Sequence, residues 1–202
     1  MALQRFDLAA IAPTPWKNGG GATREIVCWP PGAGMEAFGW RVSAATIDRA
    51  GPFSAYPGIQ RQIMLLDGEG VHLRAQGIDH RLDEPWQPWS FDGGAPLDCT
   101  PLGGRSTDFN LMLRRGAWQG AIEVVSGDVR PGSTPAGVCL VLAGTWRDEV
   151  GEGYRPGHGL WWGERVRAPL SLAPEDADGA VLAWIGLAPD ARAASAPALQ
   201  DT

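Results

Sequence analysis

Cysteine is scarce in this chain, and its three copies are poorly placed for covalent or metal chemistry. Cys28, Cys99 and Cys139 are odd in number and far apart, and no Cys-x-x-Cys pair occurs. Disulfide frameworks need an even set of cysteines, and thiolate zinc sites need closely spaced ones. The sequence therefore predicts neither of these, and it favours a reduced, cytoplasmic setting.

Clustered positive charge and long apolar runs are also missing. The formal net charge is −6 at pH 7, and the arginines are scattered singly apart from Arg114-Arg115. Nucleic-acid binding usually needs a basic patch that neutralises phosphates. The apolar stretch over residues 138–143 is too short to span a bilayer, and the first residues lack the apolar region of a secretory signal. We therefore predict no nucleic-acid partner and no membrane partner.

Histidine is scarce as well, and His72, His80 and His158 are its only copies. His72 is followed by Leu73 and Arg74, so the His-x-His spacing of many metal sites is absent. A three-histidine site would require all three to converge. No Gly-x-Ser-x-Gly nucleophile elbow occurs either. We predict no metal site and no cofactor, and we assign no catalytic residue.

Turn-forming residues are abundant. The 28 glycines and 17 prolines are spread between short apolar segments, and no segment has a convincing helical period with caps. Many short strands at this spacing are typical of a β-sandwich or barrel. The Asp-Gly-Glu-Gly run at residues 67–70 carries a hairpin signal between two of them. The sequence therefore predicts an all-β fold.

One strand pattern occurs twice. Residues 62–68 (QIMLLDG) resemble residues 138–144 (VCLVLAG), and a repeat of one β unit would give two similar halves. Chance matches of this length are common in all-β chains, so the echo alone leaves the repeat open. We predict an N-terminal half over residues 1–115 that holds the ligand pocket, a C-terminal half over residues 116–188, and a flexible Ala- and Pro-rich tail over residues 189–202.

A glycine-rich loop contains the chain's single lysine. Trp16, Lys17 and Asn18 are followed by three glycines, whereas every other basic residue is an arginine. Glycine lets the backbone approach a ligand closely, and an ammonium, a carboxamide and free N–H groups together suit an anion or a carbonyl. The alternative is an irregular loop with a solvated lysine.

Two predicted strands alternate polar and apolar residues. Arg41 and Ser43 share one face of the strand over residues 38–47, and Asp108, Asn110 and Met112 share one face of the strand over residues 107–115. These polar faces line a barrel interior or face solvent. The other face of the second strand is expected in the core between layers and consists of Phe109, Leu111 and Leu113.

The loop over residues 51–61 mixes turn formers with aromatic residues. It contains Phe53, Ser54 and Tyr56 and ends at Arg61 as a strand begins. It either closes a barrel mouth or forms an ordered turn packed by its own aromatics. Tryptophan is enriched at subunit interfaces, so the Trp161-Trp162 pair leaves a homodimer open, although core packing explains such a pair more often.

Four of these segments together resemble the HutD/Ves family of the cupin superfamily. The matching stretches are WKNGGGATREI (16–26), FGWRVSAATI (38–47), GPFSAYPGIQRQIMLLDGEGVHL (51–73) and DFNLMLRRG (108–116). The resemblance implies a cupin-like bicupin fold, with two β-barrel or β-sandwich halves, and no metal centre of the usual cupin type. One departure stands at Gly94, where the family's F-x-G-D-like segment usually ends in an acid.

The resemblance also implies a function. Some similar proteins are encoded with histidine-degradation enzymes and are thought to sense urocanate or N-formylglutamate, whereas Ves-like ones are linked to stress or cold. We therefore predict a metal-independent protein that binds a small organic acid. Its ligand-binding residues are expected to be Trp16, Lys17, Asn18, Arg41, Ser43, Phe53, Ser54, Tyr56, Arg61, Asn110 and Met112.

Two rival hypotheses remain open at this point. One is a metal-independent cupin enzyme, an isomerase or hydrolase, that uses Lys17 or Asp108 as acid or base. The other is an interaction protein that uses the tryptophan-rich second half and exposes a large apolar patch.

Overall fold

The computed structural model of the chain describes residues 2–176 and 178–191. The strands before residue 116 are β1 (Gln4–Asp7), β2 (Thr14–Pro15), β3 (Gly21–Trp29), β4 (Trp40–Ile47), β5 (Gly51–Pro52), β6 (Ile59–Asp67), β7 (Val71–Ala75), β8 (Ile78–Leu82), β9 (Trp89–Asp92), β10 (Asp98–Pro101) and β11 (Ser106–Arg114). Those after it are β12 (Trp118–Val125), β13 (Ala136–Ala143), β14 (Trp146–Asp148), β15 (Gly153–Tyr154), β16 (His158–Trp162), β17 (Leu172–Pro174) and β18 (Val181–Pro189). A single 3-10 turn, Leu8–Ala10, follows β1.

The strands form four antiparallel sheets, two in each half. The N-terminal half has a six-stranded sheet in the order β2-β3-β4-β11-β6-β9 and a four-stranded sheet in the order β5-β10-β7-β8. The C-terminal half has a five-stranded sheet, β1-β16-β13-β18-β12, and a three-stranded sheet, β15-β14-β17. The prediction of an all-β, cupin-like bicupin fold is confirmed.

The two halves share one strand order. In the larger sheets β4-β11-β6-β9 corresponds to β12-β18-β13-β16, and in the smaller sheets β10-β7-β8 corresponds to β17-β14-β15. The two echo segments of the sequence lie on β6 and β13, which occupy equivalent places. The two similar sequence segments therefore lie on equivalent strands of a duplicated unit.

The chain termini depart from a simple division into halves. Strand β1 pairs with β16, so residues 4–7 lie in a sheet of the C-terminal half. Arg5 on β1 donates a hydrogen bond to the buried carboxylate of Asp148 across 3.1 Å. Of the tail predicted from residue 189, Pro189 ends β18, and residues 192–202 lie outside the described residues.

The hairpin predicted at residues 67–70 is wrong. Strands β6 and β7 belong to different sheets, and β7 instead pairs with β8 through a tight turn at Gln76-Gly77. Gly68 and Gly70 both have positive φ, 93° and 87°, which glycine adopts without steric penalty. The Gly70 amide donates to Ser106 Oγ at 2.9 Å instead of to a hairpin partner. This Gly-rich run is therefore a corner between sheets.

The main core lies between the two large sheets. Phe109, Leu111 and Leu113 on β11 point into it, as the alternation predicted, and meet Val138 and Ile185 from the C-terminal half. Burying a side chain of this size stabilises the fold by roughly 1.5–3 kcal/mol relative to leaving it exposed. Since one face of β11 is committed to this core, its other face must line the N-terminal barrel.

No helix in the described part of the chain combines the length and the apolar character that crossing a membrane requires.

Candidate functional site: a cationic cavity in the N-terminal barrel

One cavity of about 610 Å³ opens in the N-terminal barrel. All eleven residues that the sequence suggested as ligand contacts line it. The wall also contains residues that sequence reasoning did not select: Thr14, Pro15, Thr23, Glu25, Met35, Ala45 and Pro52. The structure thus brings four separate segments of the sequence around a single hollow.

Three neighbouring strands supply the polar wall. In the sheet register Ser43 on β4 lies opposite Asn110 on β11, while Met112 lies between Arg41 on β4 and Arg61 on β6. Ser43, Asn110 and Arg61 are buried, with 2%, 3% and 6% of their surface exposed. These three side chains therefore face the barrel interior, and the alternative of simple solvent exposure does not hold for them.

Arg61 is a buried cation without an acidic partner. Its Nη2 donates to Asn110 Oδ1 at 2.7 Å and its Nη1 to the Ser54 carbonyl at 3.5 Å, while its Nε has no hydrogen-bond partner within residues 2–176 and 178–191. The guanidinium lies 5.3 Å from the ring centre of Phe53 and 5.9 Å from that of Tyr56. Burial lowers the pKa of Arg61 to about 10. No carboxylate among the described residues lies within ion-pair distance of it.

Arg41, by contrast, is already paired. Its Nε donates to Glu25 Oε2 at 2.7 Å, and Glu25 is half exposed on the adjacent strand β3. Its Nη1 lies 3.4 Å from Ser43 Oγ and 3.7 Å from Met112 Sδ. The alternation of β3 places Thr23 and Glu25 on the cavity face, and that pattern was the sequence signal for both residues.

The lysine loop is held by its own backbone. The Trp16 amide donates to the Gly21 carbonyl at 2.9 Å, and Asn18 Oδ1 accepts from the Gly20 amide at 3.0 Å. Gly21 packs so tightly against strand β4 that a Cβ there would overlap the Thr46 carbonyl oxygen. Lys17 is exposed at the cavity and makes no hydrogen bond or ion pair within the described residues. The loop therefore leaves the Lys17 ammonium available to a ligand that enters the cavity.

The loop over residues 51–58 forms the opposite rim. The Phe53 amide donates to the Leu97 carbonyl at 2.7 Å, and the Tyr56 amide donates to the Gly93 carbonyl at 2.6 Å. These bonds anchor the loop to the segment that carries the departure at Gly94, which lies against Pro57. The rings of Phe53 and Tyr56 are thereby fixed over Arg61.

Asp108 lies on the same face of β11 as Asn110 and Met112, but it does not line the cavity. It is fully buried, and neither carboxylate oxygen has a hydrogen-bond partner in the part of the chain that the structure describes. Burial raises the pKa of Asp108 to about 7, although the charge of Arg61 opposes this rise. The sequence suggested Asp108 only as an acid or base of the enzyme hypothesis, and the structure gives it no place on the wall.

A family model described as HutD matches residues 8–172 of the chain.

The chain belongs to the HutD family.

Proteins similar to this chain include Ves proteins and a HutD of known structure. Protein Ves of Cronobacter sakazakii is 34% identical over 165 residues, which cover 80% of this chain and 88% of that protein. A protein of Pseudomonas putida described as an uncharacterized 21.2 kDa protein in the hutC 3′ region is 38% identical over 64% of this chain and 67% of its own length. The solved structure of HutD from Pseudomonas fluorescens SBW25 superposes with a TM-score of 0.78 at 29% identity, covering 93% of this chain and 99% of that one.

In this HutD-family chain the equivalent interior of the C-terminal half has a different composition. Aligning the two echo segments and following the strand registers places Gly137 at the position of Arg61 and Trp184 at that of Asn110. Trp184 packs on Trp162, with ring centres 5.3 Å apart, and Gly137 leaves the space that Trp162 fills. The second interior is thus filled by indole rings at the positions where the first one is polar.

The histidines of this HutD-family chain lie away from the cavity. His72 contacts Asp79 on the β7–β8 hairpin at 2.5 Å, and His80 stacks on Trp89 with ring centres 4.1 Å apart. Within residues 2–176 and 178–191, no group of three or more His, Cys, Asp or Glu side chains is arranged to hold a metal ion.

Proposed function

We propose that this protein binds a small organic acid in the N-terminal cavity, without catalysis. The observation that carries the proposal is Arg61, a buried guanidinium on the cavity wall that has no carboxylate of the described residues within ion-pair distance. An unpaired charge held out of water costs several kcal/mol. A ligand carboxylate would offset that cost, and a charge-assisted hydrogen bond would fix its orientation.

The charges of the wall favour an anion. Glu25 neutralises Arg41, which leaves Lys17 and Arg61 without acidic partners among the described residues. The Asn110 oxygen accepts a hydrogen bond from Arg61, and its amide nitrogen makes none within the described residues. This nitrogen can therefore donate to a ligand. Further polar contacts would come from Asn18, Ser43 and Ser54, and apolar contacts from Trp16, Phe53, Tyr56 and Met112. Two cations beyond the internal pair suit a mono- or dicarboxylate.

The family narrows the choice of acid. The Pseudomonas putida relative is described by its position in the hutC 3′ region, and the superposable Pseudomonas fluorescens structure is HutD. We therefore link this chain to histidine utilisation and propose urocanate or N-formylglutamate as its ligand. In this role the protein would report the level of a metabolite in the cytoplasm.

Isothermal titration calorimetry with urocanate, N-formylglutamate and succinate tests the proposal. Losing a charge-assisted hydrogen bond costs roughly 1.5–3 kcal/mol, so Lys17→Ala and Arg61→Ala should each weaken binding about tenfold or more. Arg105→Ala is the matched control, since Arg105 pairs with Asp48 outside the cavity. No heat with any of the acids, or unchanged affinity in both cavity variants, would contradict the proposal.

The enzyme hypothesis has a separate test. Each acid is incubated with the protein and followed by NMR for new signals. An isomerase or hydrolase would produce them, and their loss in Lys17→Ala would assign the acid–base role to this residue. Spectra that stay unchanged while calorimetry shows binding would support the non-catalytic function.

A further inference from the structure

Asp108 is a buried acid without any hydrogen bond inside the described part of the molecule. It lies between Ala45 on β4 and Leu65 on β6, and both of its oxygens are unpartnered. Two titratable or charged groups face it from the surrounding strands: Arg61 on β6 and the Cys99 thiol on β10. An acid in such a place has an electrostatic effect on its neighbours that no internal hydrogen bond offsets.

Asp108 is coupled to the cavity through its own strand. It precedes Asn110 by two residues on the same face of β11, and Asn110 accepts a hydrogen bond from Arg61 at 2.7 Å. The Arg61 guanidinium therefore lies on the Asp108 side of Met112, its partner in the sheet register. An ionised Asp108 partly neutralises Arg61, and it repels an anion that approaches the same guanidinium.

The fold does not require an acid at this position. In the duplicated C-terminal half the strand registers place Leu182 where the N-terminal half has Asp108. Leu182 is fully buried among apolar side chains that include Val141 and Trp146. At this equivalent position the N-terminal half, which has the cationic cavity, carries an acid. The C-terminal half, whose interior is filled by indole rings, carries an apolar residue.

We propose that anion binding in the cavity is linked to protonation of Asp108, so that the protein takes up a proton at this carboxyl when a carboxylate binds beside Arg61. This inference rests on the proposed function and adds a control by pH to it. The ligand's charge stabilises the neutral acid, and the neutral acid leaves the whole charge of Arg61 to the ligand.

The direction of the pH effect follows from the ionisation states. The pKa of Asp108 is about 7 in the free protein, so a nearby bound anion shifts it upward and protons are taken up at slightly alkaline pH. Arg61, with a pKa of about 10, and Cys99, with a pKa of about 12, keep their charge states from pH 6 to pH 8.5. Affinity should therefore fall as the pH rises through this range.

The experiment is calorimetric titration of the full chain with N-formylglutamate and with succinate, at about pH 6 and about pH 8.5. N-formylglutamate is fully ionised at both pH values, because free carboxyl groups titrate near pH 4. Succinate completes its second ionisation between them, which would strengthen its binding at the higher pH and therefore opposes the expected loss of affinity. A shift of one pKa unit corresponds to a factor of ten, so we expect about tenfold weaker binding at the higher pH. At about pH 7.5, two buffers with different ionisation enthalpies should show net proton uptake by the wild type.

Two variants assign the effect. Asp108→Asn imitates the protonated acid, so it should bind at both pH values as the wild type binds at about pH 6, without proton uptake. Asp98→Asn removes an exposed carboxylate from β10 and should keep the wild-type pH dependence. Binding that is equally tight at both pH values, or pH dependence that survives in Asp108→Asn, overturns the linkage alone. If the protein binds neither acid at both pH values, the proposed function is overturned, and the linkage with it.

Discussion

Arg61 donates a hydrogen bond from Nη2 to Asn110 Oδ1 across 2.7 Å, and both side chains lie buried on the wall of the N-terminal cavity. This contact joins strands β6 and β11 at the point where the barrel interior is polar. It supplies a neutral partner to a charged group, so the charge itself stays uncompensated.

Removing the charge of Arg61 should improve stability while it impairs binding. In Arg61→Met the uncompensated buried cation is replaced by an apolar side chain, and such replacements are often neutral or stabilising. We expect the free energy of unfolding in urea to rise by about 1 kcal/mol. Calorimetry should show affinity for the acid reduced at least tenfold. A variant that loses both stability and binding would indicate that Arg61 is mainly structural.

The stability of the free protein should depend on pH through Asp108. The folded-state pKa is about 7, above the ordinary value of 3.8, so the unfolded chain releases this proton first as the pH rises. Stability from this group is therefore complete below about pH 4, declines up to about pH 7 and then stays level. The free energy of unfolding of Asp108→Asn should exceed that of the wild type by roughly 4 kcal/mol at about pH 8.

Urea unfolding of the wild type, Asp108→Asn and Asp98→Asn at about pH 4 and about pH 8 measures this difference. Asp98→Asn, which removes an exposed carboxylate, should follow the wild type. Equal pH profiles for the wild type and Asp108→Asn would show that Asp108 is ionised in the folded protein without penalty.

The lysine loop should depend on Gly21 as well as on Lys17. In Gly21→Ala the new methyl group would overlap the Thr46 carbonyl oxygen on β4, so the loop must move. We expect weaker acid binding and a lower melting temperature, since shifting this backbone disturbs the β3–β4 pairing. Gly104→Ala is the control, because a Cβ there meets no atom within 4 Å and the site is remote from the cavity. If Gly21→Ala binds the acid with wild-type affinity, the position of the lysine loop does not contribute to binding.

The filled interior of the C-terminal half should matter for stability and not for the ligand. Trp162 is fully buried, packs against Trp184 with the two rings tilted by 41°, and donates from Nε1 to the Thr134 carbonyl at 3.1 Å. Trp162→Ala should lower the free energy of unfolding by about 3–5 kcal/mol, as large-to-small changes at buried aromatics do. Calorimetry below the unfolding transition should give unchanged acid affinity. A large loss of affinity would show that the halves are coupled.

Strand alternation let the sequence predict much of this molecule. The turn-rich spacing indicated an all-β fold, and the period of two along β4 and β11 placed Arg41 with Ser43 and Asn110 with Met112 on common faces. These inferences hold because the side-chain direction in a strand depends on local backbone geometry. Five of the eleven selected residues lie on strands, and this alternation explains their place on the cavity wall. The other six lie on loops, where loop composition and the family resemblance pointed to them.

Other features depended on long-range packing. The polar face of β11 could line a cavity or meet solvent, and that choice depends on strands distant in sequence. The unpaired state of Arg61 and of Asp108 within the described residues depends on the same strands. The corner at Gly68, the pairing of β1 with the far half and the indole-filled second interior have the same origin. Local pattern specifies what each strand presents, whereas burial and electrostatics arise only when distant strands exclude water together.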